Sequence, residues 1–409
     1  MKWHAVEFDI ARGPSSPEGM PQPAVPTIAG PTRTKNMETV NPAAIARTVV
    51  LGGLVLGLLL GVIGQATRFC VRGAIADWVD LGKRERFAGW MLAVGVGAIG
   101  LQALAATGLV DATRTLAWSP RLAWMSCIVG GLIFGYGMIL ADGCPQRSLV
   151  KAGSGSLRSA LVAVVAALAA VMTLRGVLAP VRANLLDTWS VQLKGPQDLG
   201  HVLATATSIP AVTLGWVLAA LVFAVTVGYA WRKHRSALRE TWVGGVGVGL
   251  ILMAAGYVTG RFGFVAEHPE TLEAAWLGTQ SNRPEGLNFT APLANALDLL
   301  TLWTDKATVP TFGVTLVLGV LIGSYISAKL RREFKLEGFD TPREFGEHVV
   351  GAVMMGFGGV TALGCSIGNG VTGLAWLSSG SILAVAGISG GAWLALRRAR
   401  GRVLRPAAA

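Results

Sequence analysis

Long apolar runs constrain this chain more than any other feature. Nine follow residue 42, at about 44–66, 87–108, 122–141, 159–179, 211–231, 241–258, 311–329, 348–363 and 381–397. Most reach the roughly 20 residues that a helix needs to cross the hydrocarbon core of a bilayer. In that medium every backbone N–H and C=O must find a partner inside the protein. Runs of this length without strict alternation are therefore read as helices. Charge agrees: 14% of residues are charged and 52% hydrophobic, whereas a soluble domain carries about 25% charged residues. The expected fold class is an all-α polytopic membrane protein of about nine transmembrane helices plus short re-entrant helices.

The net charge of +12 would suggest nucleic acid in a soluble protein. No basic patch with interleaved aromatics supports that reading. The cations collect instead in alternate loops: Lys83, Arg84 and Arg86; Arg232, Lys233, Arg235 and Arg239; Lys329, Arg331, Arg332 and Lys335; and Arg397, Arg398, Arg400, Arg402 and Arg405. With nine spans, 22 of the 35 Lys and Arg fall on the C-terminal side. The positive-inside rule then puts the C-terminus in the cytoplasm and the N-terminus in the periplasm of a bacterial inner membrane. Residues 1–42 are rich in Pro, Gly and polar residues and read as a disordered tail. Residues 398–409 form a basic cytoplasmic tail. Two long connections, about 180–210 and 259–310, lie outside and have room for short interfacial helices.

The chain also resembles itself. Aligning Cys144 with Cys365 aligns Gly135 with Gly356, Gly137 with Gly358, Ala141 with Ala362, Gly143 with Gly364 and Val150 with Val371, all at one offset. More weakly, Gly64–Cys70 matches Gly256–Gly263 with one extra residue, so Gly263 stands where the first copy has Cys70. The expected organisation is a first membrane repeat over 43–180, an outer loop and linking helix over 181–240, and a second repeat over 241–397. An odd number of spans separates matching positions, which inverts the second repeat. Inverted repeats are common in transporters, with the path at their interface.

The repeated motifs point to a binding path. Gln146, Arg147 and Ser148 follow Gly143–Cys144–Pro145, and Gly368, Asn369 and Gly370 follow Gly364–Cys365–Ser366. Such polar, glycine-rich stretches survive at membrane depth only when buried in protein or lining a cavity. They are expected to be re-entrant, each leading into a short helix whose N-terminus favours an anion. A thiol with its ordinary pKa stays mostly protonated at neutral pH. It is then a weak donor that adds no repulsive charge, and its softness suits a sulfur-containing anion. Cys70, Cys144 and Cys365 are the candidates, with Gly143 and Gly364 beside them. Cys127, mid-span and outside any motif, reads as packing. Arg68 and Arg261 occupy matching positions and either attract an anion or snorkel to the interface. Asp142 is expected to pair with Arg147.

On Arg68-Phe69-Cys70, Gly143-Cys144-Pro145 and Gly364-Cys365-Ser366, and on the duplicated layout from about 44 to 397, the sequence resembles the YeeE/YedE sulfur-transport family. That resemblance implies an hourglass-shaped protein with short re-entrant helices. It implies thiosulfate carried by S–H hydrogen bonds at three cysteines, here Cys70, Cys144 and Cys365. It also implies a cytoplasmic partner, a small sulfur carrier similar to TusA. The long tail and the outer loops look like elaborations, and some relatives are linked to selenium or to other sulfur species.

Two other classes compete. A membrane sulfurtransferase or thiol oxidoreductase needs an activated thiolate beside a base, or a CxxC pair. The five histidines, at 4, 201, 234, 268 and 348, sit in tails, loops or at a span start, and no CxxC occurs. A soft-metal transporter would use the thiols as ligands, but no Met- or His-rich tract accompanies them. No cofactor is called for, and no GxxxxGK[ST] motif for ATP is present.

Overall fold

The computed structural model describes residues 41–403 apart from 116–117, 206, 208, 235, 269–270 and 307. The tail expected over 1–42 lies outside the described residues except for its last two positions. So does the end of the basic segment 398–409.

Helices dominate in chain order. The first half contains α1 (Pro42–Thr67), α2 (Val71–Leu81), α3 (Glu85–Ala106), α4 (Trp124–Leu140), α5 (Pro145–Gly153), α6 (Leu157–Leu174), the single turn α7 (Ala179–Val181) and α8 (Leu199–Ala204). The second half contains α9 (Ala211–His234), α10 (Gly244–Tyr257), α11 (Thr290–Thr301), α12 (Phe312–Leu330), α13 (Pro342–Thr361) and α14 (Ser379–Val403). Two small antiparallel strand pairs, Arg121–Leu122 with Val191–Gln192 and Phe264–Val265 with Ala275–Trp276, tie down the long connections.

Among the described residues eight helical stretches are long and apolar enough to cross a membrane. The expected ninth span, 348–363, lies in α13, which starts six residues earlier: its first two turns carry Arg343, Glu344, Glu347 and His348, and only the later turns are apolar. The expected spans 44–66 and 122–141 are each continued by a short helix, α2 and α5, after a break at the cysteine. The second long connection also departs from expectation. It does not stay at the surface: Leu287 and Phe289 are wholly buried, and α11 packs on α6 and α12.

Small residues set how closely the helices approach. α1 packs on α12, α10 on α3, α4 on α14 and on α13, and α6 on α13. Without a hydrophobic force between helices in lipid, such contacts depend on close van der Waals fit. The Gly244–Gly249 run illustrates this: a side chain on Gly245 would strike the Gly89 carbonyl of α3 at 2.7 Å. At the basic end, residues 154–157 hydrogen-bond to 335–337. At the opposite end, Gln197 and Leu199 bond to Ser379 and Leu377.

Candidate functional site

Each Gly-Cys motif is built by a helix that stops, turns and restarts. α4 ends with Asp142 in the left-handed region (φ 51°), while Gly143 N–H returns to Met138 O at 3.1 Å. α13 ends the same way, with Leu363 at φ 59° and Gly364 N–H on Gly359 O at 2.8 Å. Both are Schellman-type ends, with a non-glycine residue in the strained position. The glycine that follows makes room. Side chains on Gly143 and Gly364 would come to 3.2 Å of Ser148 Oγ and 3.1 Å of Asn369 Nδ2. Arg68, at φ 56°, ends α1 before Cys70.

The three motif cysteines then open new helical turns. Cys70 caps α2, its Sγ accepting from Gly73 N–H at 3.4 Å. Cys365 Sγ accepts from Gly368 N–H at 3.3 Å, at the start of the π-helical segment Gly368–Gly373. Cys144 holds the cap position of α5 but makes no capping bond. Ser366 Oγ, next to Cys365 in the chain, is likewise buried without a hydrogen-bond partner. All three are buried free thiols in one core cluster. Cys127 is also buried, in a separate small cluster with Ala362 and Ala384.

A cavity approaches this row from each end. At the basic end, about 560 Å³ is lined by Cys70 together with Arg68, Arg72, Arg86, Arg147, Lys151, Arg332 and Lys335, against Asp142, Glu333 and Glu337. At the opposite end, about 430 Å³ reaches Leu363, Gly368 and Asn369, with Arg283 and Glu285 as its only charged lining residues. Outside the membrane spans, burial pushes the Glu285 carboxyl above the usual carboxylate range, against three donors to its Oε1 from Gln280 and Ser281. Cys70 lines the basic-end cavity, whereas Cys144 and Cys365 line neither cavity and are 0% exposed.

Most of the expected residues gather here: Cys70, Cys144, Cys365, Gly143, Gly364 and Arg68. Arg261 does not line either cavity. It is exposed, on the π-helical turn that ends α10. The expected Asp142–Arg147 pair is corrected. Asp142 bonds Arg72 at 2.8 Å and also Lys151, while the Arg147 guanidinium turns inward and donates to Gly64 O of α1 at 3.3 Å. Sequence reasoning missed Asn288. Its Oδ1 accepts from Phe289 and Thr290 N–H and lies 3.5 Å from Cys365 N, so it ties the second long connection to the Cys365 turn. Nothing in a loop without apolar periodicity marks that residue beforehand.

Apolar helices surrounding three buried thiols of one core cluster, with a cavity on either side, define a membrane transport protein. Comparison with known sequences agrees. The sulphur transport family model matches residues 66–394, and the chain belongs to that family. It is 30% identical to the thiosulfate transporter TsuA of Escherichia coli strain K12, over 85% of this chain and 95% of that protein. It is 26% identical to the thiosulfate transporter TsuA of Spirochaeta thermophila, over 85% and 99%. A shorter match, 24% over 25% of this chain and 24% of the other, is to the probable transporter YedE of E. coli.

Proposed function

We propose that this sulfur-anion transporter carries thiosulfate inward along Cys70, Cys144 and Cys365. The observation carrying the proposal is the cluster of three buried, protonatable thiols, Cys70 lining the cationic cavity and Cys144 and Cys365 wholly buried. At Cys70 and Cys365 a backbone N–H occupies the sulfur lone pair, which leaves S–H free to donate. Weak donors in series hold an anion without trapping it, as flux requires. The N-termini of α2 and α5 add a positive field. Two relatives named as thiosulfate transporters support both the substrate and a transporter rather than an enzyme.

We further propose that the two halves, 43–180 and 241–397, are inverted repeats. The packing supports this: α1 on α12 is mirrored by α10 on α3, α4 on α14 by α13 on α6, and α2 on α3 and α14 by α11 on α12 and α6. The counterpart of α2 is then α11, displaced by the long second connection. The orientation proposed is the C-terminus and the cationic cavity in the cytoplasm of the bacterial inner membrane, following the positive-inside rule. The partner proposed on that side is a small cytoplasmic sulfur carrier similar to TusA.

The test is uptake of radiolabelled thiosulfate into proteoliposomes, with unlabelled thiosulfate or sulfate as competitor. Saturable uptake that thiosulfate blocks better than sulfate is expected. Well-reconstituted protein that moves no thiosulfate would overturn the substrate assignment.

A further inference from the structure

Gln146 is the one buried amide side chain among the described residues for which the protein supplies no partner. It is 0% exposed, and neither Nε2 nor Oε1 has a hydrogen bond. The other buried amides are engaged. Gln65 donates to Glu333 at 3.3 Å and Asn295 accepts from Arg175 at 3.0 Å. Asn369 donates to Ala362 O and Gly364 O and accepts from Ser381. Gln197 is also partnered. A desolvated, unpartnered amide is costly. An apolar side chain of similar size would fill the same space without that cost.

Its position gives the amide a purpose. Gln146 lies two residues after Cys144, at the start of α5, with Nε2 facing α1 at Gly64. A side chain there would come to 3.1 Å of Nε2. The Gly64 carbonyl is already taken by Arg147, so it does not satisfy the amide. Ser148 Oγ is likewise buried and unpartnered. Two uncommitted donors and a cation thus follow Cys144 within four residues. Thiols suit a soft sulfur atom, whereas amide and hydroxyl donors suit hard oxygens. Thiosulfate has both kinds of end.

We propose that Gln146 contacts the substrate directly, its Nε2–H donating to the oxygen-bearing end of the anion while the thiols take the sulfur end. The proposal rests on the thiosulfate reading above and deepens it. Gln146 thereby selects sulfur oxyanions over hydrosulfide.

The experiment compares Gln146→Leu and Gln146→Met with wild type in proteoliposome uptake kinetics and in thermal unfolding without substrate. Met keeps the unbranched shape if Leu fails to fold. The expected result is a rise in KM for thiosulfate of about tenfold, as for one lost charge-assisted hydrogen bond. Tm should be unchanged or higher, because no protein contact is lost. An unchanged KM overturns the proposal. So does a large fall in Tm in both variants, which would reveal a protein partner for the amide. If wild type moves no thiosulfate, the substrate reading fails separately. Thermal stabilisation by sulfite and sulfate then decides this one. Weaker stabilisation of the variants supports it, and equal or absent stabilisation overturns it.

Discussion

Gly135 is where a single methyl group should do the most damage. It lies on α4, five residues before the helix ends and eight before Gly143–Cys144, and it faces α14. A Cβ there would sit 2.0 Å from Ile388 O, 2.7 Å from Ile388 C and 2.9 Å from Ile388 Cα, all backbone atoms of the neighbouring helix. Backbone cannot rotate aside, so α4 and α14 must separate locally by more than an ångström. Adjoining contacts open with them: Gly131 meets Ala384 O, and Gly391 meets Leu132 O. Overpacking of this kind costs about 1–3 kcal/mol. Alanine's intrinsic advantage in a helix returns at most about 1 kcal/mol. Gly135→Ala should therefore lower Tm in detergent and reduce uptake, because α4 positions Cys144. Gly228→Ala on α9 is the control, since nothing lies within 4 Å of its Cβ position. It should be neutral or stabilising. If Gly135→Ala proves as stable as Gly228→Ala, the close α4–α14 packing is refuted.

Three further outcomes follow from the geometry. Asp142→Asn removes the ion pairs to Arg72 and Lys151, but the carboxylate is 51% exposed; the loss should stay below about 1 kcal/mol in thermal unfolding. Glu285 has a folded-state pKa raised by burial, so its contribution to stability is full below the ordinary carboxylate range and is lost as pH rises through the raised value. Glu285→Gln, which keeps an oxygen for the donors from Gln280 and Ser281, should be at least as stable as wild type at neutral pH and show a flatter pH profile of Tm. Gly64→Ala brings a methyl to 3.1 Å of Gln146 Nε2 and 3.2 Å of Val150 Cγ2, so uptake should fall in the proteoliposome assay while Tm changes little.

The apolar runs made the membrane class and most of the helices legible, because helix length in a bilayer is dictated by its thickness. α13 escaped a correct length because hydropathy alone does not register that its charged first turns belong to the same helix. The paired Gly-Cys motifs were legible as one fixed offset, and the structure brings Cys144 and Cys365 into one buried cluster with Cys70. Partner choice was not legible. Asp142 and Arg147 are close in sequence, yet the turn at Asp142 directs the carboxylate outward to Arg72 while α5 carries Arg147 in toward α1. Asn288 and the unpartnered amide of Gln146 were beyond reach for a similar reason. Their significance lies in contacts made, or left unmade, across the fold.

The most direct measurement is proteoliposome uptake of radiolabelled thiosulfate by Cys70→Ala, Cys144→Ala and Cys365→Ala, with Cys127→Ala as control. The cysteine row predicts uptake strongly reduced in each of the first three and retained in the control, at comparable reconstitution. Wild-type uptake in all three motif variants would contradict it.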